Sequence, residues 1–158
     1  MSDRWVFATA FLTVVLIVAG AFAVPEYFSL ELLKSLIYVV IAVMSFFGED
    51  RFSYMLGIVA PILGSILNIL LGGFFREFSV LWDSITARSM AKVDTPLHGA
   101  AILVELALVV LCYRVWRKQV PEKFFGKTFG ICLAISFVYV GILTGWFFHK
   151  FPTVGQLP

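Results

Sequence analysis

Charged side chains are scarce in this chain: 14% of its 158 residues are Asp, Glu, Lys or Arg, against about a quarter in a soluble domain. A water-soluble core of this length has no way to hide the 61% of residues that are hydrophobic. A net charge of +2 leaves no basic surface for nucleic acid. The two cysteines, Cys112 and Cys132, are not a CxxC pair, which excludes a metal knuckle or a thioredoxin-type motif. There is no HExxH, no glycine-rich loop after a strand, no Ser/His/Asp arrangement and no run of gating arginines. Those absences remove the usual metalloprotease, nucleotide-binding, hydrolase and voltage-sensor readings.

What the chain has in abundance is long apolar runs. A helix rises about 1.5 Å per residue, so roughly 20 apolar residues cross a hydrocarbon core of about 30 Å. Runs at 5–24, 30–47, 52–75, 96–116 and 124–148 meet or approach that length. Only helices and closed barrels satisfy their backbone in lipid, and runs this long are helices. The expectation is an all-α polytopic bundle of about five spans, forming one integral membrane domain over 1–158. The first run is read as a retained span rather than a cleaved signal, because it is long and no small-residue cleavage site follows. The run at 30–47 is the shortest, and a re-entrant course there would reduce the count to four. Between the third and fourth runs, Phe78, Leu81, Trp82, Ile85 and Ser89 recur at three- and four-residue spacing, with Glu77, Asp83, Arg88 and Lys92 between them. This pattern predicts an amphipathic helix near 76–92 lying along the interface.

Orientation follows from Lys and Arg. With five spans, Arg4, Arg51, Arg114, Arg117, Lys118, Lys123 and Lys127 share one side, and Lys34, Arg76, Arg88, Lys92 and Lys150 the other. The dense cluster 114–127 sets the N-terminus inside and the C-terminus outside. Trp5 and Trp116 are then expected at the inner interface and Trp146 at the outer one. Lipid tails are as apolar as leucine, so close backbone approach through small residues drives helix association. Gly57, Gly64 and Gly72 on the third run, and Gly126, Gly130, Gly141 and Gly145 on the fifth, are the expected packing positions, more for contacts within the chain than for a homodimer. Pro61 is expected to bend the third helix.

Polar groups at membrane depth carry the functional reading. Counted from the outer interface, Glu105, Tyr139, Asn68, Thr13 and Tyr38 fall about 10–17 Å deep, one on each span. They form a possible ligand- or proton-binding layer. Glu105 is the informative member, because a mid-span carboxylate costs about 3 kcal/mol on the insertion scale and is normally turned inward and partnered. It is either a proton- or cation-binding group or a neutral carboxyl tying the bundle together through Asn68, Tyr139 or a carbonyl. At the outer ends Asp94, His98 and His149 form a second group. Two histidines on two helices can ligate a b-type haem, or with Asp94 a metal ion. The alternative is a helix cap at Asp94 or Thr95 before Pro96, and two interfacial histidines. Cys112 and Cys132 read as small buried residues. The chain has the length of the five-span translocator proteins but lacks their tryptophan- and proline-rich signature. Three functions follow. The first is an accessory or structural subunit of a larger membrane complex, partnered by other membrane subunits or by itself. The second is a transporter, channel or small-ligand-binding protein built on Glu105. The third is a haem- or quinone-carrying redox subunit. No catalytic motif is present.

Overall fold

The computed structural model describes residues 3–48, 50–70, 73–86 and 96–150. Among these residues it forms α1 (Asp3–Ala23), α2 (Phe28–Phe47), α3 (Asp50–Leu70), α4 (Gly73–Ile85), α5 (Pro96–Gln119) and α6 (Lys127–Lys150), with no strand. Five of them are long and apolar enough to cross a membrane, including the segment Pro25–Phe47. The protein is an all-α bundle with the dimensions of an integral membrane protein.

Local chemistry explains the breaks. Pro25 stops α1 and opens a 3-10 turn, Pro25–Tyr27, that leads into α2. Gly48 ends α2 at φ 81°, its N–H bonded to the Met44 carbonyl. That left-handed cap suits a residue without Cβ. Pro96 opens α5, where its missing N–H costs nothing. Arg117 and Lys118 fall in the last turn of α5, against the negative end of the helix dipole. At the start of α6 the Glu122 carboxylate accepts from the Thr128 hydroxyl at 2.8 Å and from its backbone N–H at 3.5 Å. Helix α3 runs continuously through Pro61.

One difference from the sequence reading concerns this middle region. The third helix is described to Leu70, and the amphipathic helix, described over Gly73–Ile85, begins before position 76. The apolar run 52–75 hid the change of direction, since Phe74 and Phe75 already belong to α4. Positions 87–95, with Ser89, Arg88, Lys92 and Asp94, lie outside the described residues, as does Gly72.

Contacts at the two ends fix the direction of the helices. Tyr54, at the start of α3, donates to the Asp3 carboxylate of α1, and its hydroxyl lies 3.0 Å from Gln119 Oε1 at the end of α5. At the opposite end His98 of α5 lies against Gly20 of α1 and Glu31 of α2. Consecutive spans therefore run antiparallel. The core is built where α1 packs on α2 and α5 and where α3 packs on α5, α6 and α2. It centres on Ile17, Ile41, Tyr54, Met55, Leu108 and Cys112. Helices α5 and α6 do not pack on one another; α3 contacts both. Trp116, expected at the interface, is 2% exposed and stacks edge-on near Phe124. Trp5 is exposed, as an interfacial residue is.

Candidate functional site

Ionisable side chains gather at the end where α2 and α5 begin, with Glu31 and Glu105 buried and Lys34 of α2 and Glu77 of α4 partly exposed. On α2, Glu31, Lys34 and Tyr38 are spaced three and four apart, so they share one face. On α5, His98 and Glu105 are seven apart, which is two turns of the same face. Glu31, Tyr38 and Glu105 are buried. Lys34 is partly buried, its Nζ 3.7 Å from Glu31 Oε2. His98 Nε2 stands 3.7 Å from Glu31 Oε1. Deeper in, the Tyr38 hydroxyl pairs with the Glu105 carboxylate. Lys34 also feels the charges of Glu77 and Glu105.

Glu77 comes from α4. That helix is held close because Gly99 lets it in: a Cβ on Gly99 would stand 2.7 Å from both the Glu77 carbonyl and Leu81 Cβ. Asn68 Nδ2 donates to Glu77 Oε2 at 3.3 Å. Tyr139 of α6 donates to the Leu33 carbonyl at 2.5 Å and lies within electrostatic range of Lys34 and Glu105.

One carboxylate, Glu31, thus stands beside the Lys34 ammonium, Glu77 and Glu105 lie within electrostatic range of it, and His98 borders Glu31. The 3.7 Å separations from Glu31 to Lys34 and to His98 exceed a hydrogen bond. Glu31 Oε2 is buried with no hydrogen-bond donor. Buried polar atoms are nearly always bonded, which makes this oxygen an acceptor available to an entering donor. Among the described residues no three His, Cys, Asp or Glu side chains converge to hold a metal ion.

The sequence-predicted residues divide accordingly. Glu105 and Tyr38 meet directly. Tyr139 borders them, and Asn68 joins through Glu77. Thr13 is buried but gives its hydroxyl to the Thr9 carbonyl of its own helix at 3.0 Å, a local bond common for Thr in spans. His98 faces Glu31, while His149 is exposed at the end of α6, on a helix that does not pack on α5. Of the glycines, Gly57 seats α3 on α5, since a Cβ there would lie 2.6 Å from Cys112 Sγ. Gly126 makes room for the Glu122 cap, at 2.6 Å. Among the described residues, Gly64, Gly130, Gly141 and Gly145 have nothing within 4 Å of a Cβ position, so they seat none of the described helices. Cys112 and Cys132 are both buried and free, on different sides of α3.

The reading of the sequence by depth missed Glu31, Lys34 and Glu77 as site members. Glu31 and Lys34 sit in the first turns of a span, where charges are ordinarily interfacial. The signal that would have found them is their spacing with Tyr38. Glu77 carries no such signal, because its place depends on how α4 folds back. No protein-family model, curated protein or solved structure matches the chain.

Proposed function

We propose that the protein is a small transporter or channel, or a membrane protein binding a small protonated ligand, in which Glu105 is the group that takes up and releases the proton. The observation that supports this is the pairing of Glu105 with Tyr38 beside Lys34, Glu31 and Glu77 inside an otherwise apolar bundle. A mid-span carboxylate such as Glu105 is costly and commonly marks a proton relay or ion path. The cluster holds three carboxyl groups and one lysine, so it offers several sites at which a proton can bind. Glu31 and His98 stand between Glu105 and the end of the bundle and are the groups through which a proton would pass in this reading. By the distribution of Lys and Arg, this end faces outward.

The test is Glu105→Gln in vesicles loaded with a pH-sensitive dye and given a potassium diffusion potential. The wild type is expected to acidify the vesicles, and the variant to fall to the level of protein-free vesicles while keeping its thermal unfolding transition. Unchanged flux in a folded variant would sink the reading.

A second reading, an accessory or structural subunit of a larger membrane complex, is favoured by α6. Its Gly130, Gly141 and Gly145 face outward, and only 11% of its apolar window is buried within the chain. Small residues on a lipid-facing helix permit a partner helix to approach. Isolation in mild detergent separates the two: co-purification with a large complex supports the subunit, and a clean monomer or small homo-oligomer supports the transporter.

A further inference from the structure

The far end of α5 carries a feature that the Glu105 site does not use. Val109, Val110, Tyr113, Arg114, Arg117 and Lys118 line an open groove of about 640 Å³ along one face of the helix. Their spacing, in pairs four residues apart, stacks them on that face. The groove is divided along its length. Val109, Val110 and Tyr113 form the half toward the bundle centre, and Arg114, Arg117 and Lys118 the half toward the helix end. Val110 and Tyr113 are 49% and 44% exposed, so this half is open to the hydrocarbon. The Tyr113 ring is held edge-on against Phe124 at 6.0 Å, which fixes one wall.

The three cations carry no acid within the groove. Among the described residues, none of them forms an ion pair. Two acids at the same end are committed elsewhere, Asp3 to Tyr54 and Glu122 to Thr128. Arg114 lies five residues before the helix end, about 7.5 Å along the axis, within reach of the interface for a long side chain. An apolar strip running into the hydrocarbon, crowned by unpaired cations at headgroup level, matches one chemistry. The ligand has an acyl chain and an anionic headgroup. Basic pockets beside transmembrane helices take such headgroups, and each Lys or Arg near an anionic surface contributes about 1 kcal/mol.

We infer that this face of α5 is a binding site for an anionic phospholipid, with the acyl chain on Val109, Val110 and Tyr113 and the phosphate on Arg114, Arg117 and Lys118. A soluble acidic partner would use the cations and leave the apolar half without a role. The site is independent of the Glu105 cluster, which lies toward the opposite end of the same helix.

The experiment is native mass spectrometry and thermal unfolding of the purified full chain with phosphatidylglycerol, phosphatidylcholine or inorganic phosphate added. Phosphatidylglycerol is expected to be retained and to raise the unfolding temperature, with phosphatidylcholine and phosphate doing neither. The triple variant R114Q/R117Q/K118Q is expected to lose that selectivity, and K123Q/K127Q to keep it. If the triple variant does not fold, Val110→Trp fills the apolar half while leaving every cation in place, and is expected to lower phosphatidylglycerol retention. Equal retention of both lipids by the wild type, full retention by the folded triple variant or by Val110→Trp, or a shift with phosphate alone would each overturn the proposal.

Discussion

At the scale of the residue, one contact decides how α3 meets α5. Gly57 lies against a cysteine that is 0% exposed, so an added methyl group at 2.6 Å from Cys112 Sγ has little space to displace it. Overpacking of this kind costs about 1–3 kcal/mol. Gly57→Ala is therefore expected to lower the thermal unfolding temperature in detergent. Combined with Cys112→Ala, which removes the opposing sulfur, most of that loss is expected to return. A coupling energy near zero in the double-mutant cycle would mean the two residues do not oppose each other. The small-residue stripe was readable in the sequence, and so was the depth of Cys112. Their opposition was not, because it depends on the rotation of two helices about their own axes. The same applies at the candidate site. Glu105 stands out in any reading of residues 96–116, whereas its pairing with Tyr38 requires α2 and α5 to turn particular faces toward each other.

At the scale of the element, α4 is the part that most depends on a close fit. It contributes Glu77 to the charged cluster, yet none of its residues is fully buried. Its position rests on Gly99, whose neighbours are a backbone carbonyl and a Cβ, neither of which can rotate away. Gly99→Ala is expected to lift α4 from α5 and to raise the thiol reactivity of a cysteine placed at Leu81. Gly141→Ala, with open space around it, is expected to change stability by no more than about 0.5 kcal/mol and to leave the Leu81→Cys reactivity as it was. Equal reactivity in all three backgrounds would show that Gly99 does not seat the helix. The amphipathic character of α4 was legible from its periodicity. Its start was marked only by Gly72-Gly73, a turn signal that a reading by run length passes over because the run resumes at Phe74 and Phe75.

At the scale of the whole molecule, antiparallel spans place Arg4, Arg51 and the basic residues of 114–127 at one end of the bundle and the Glu31–Lys34–Glu105 cluster toward the other. If the positive-inside rule holds here, as the proposed orientation requires, the basic end faces the cytoplasm. In a background free of Cys112 and Cys132, a cysteine at Lys118 is expected to be protected from an impermeant thiol reagent in intact cells. One at Lys150 is expected to be labelled. Labelling of both, or of neither, would require an even number of spans between them and remove the five-span topology. The Tyr54–Asp3–Gln119 clasp joins three helices at the basic end, opposite the end where the charged cluster lies.

Composition and run length by themselves determined that this chain is a bundle of membrane-crossing helices. In lipid each helix must satisfy its own backbone, so length and hydropathy suffice. They also determined that Glu105 is misplaced among apolar neighbours. Only the tertiary structure decided which charges accompany it. Lys34, Glu31 and Glu77 are brought to it by helix rotation and by the fold of α4 over Gly99, and neither of these is written in the periodicity of any single segment.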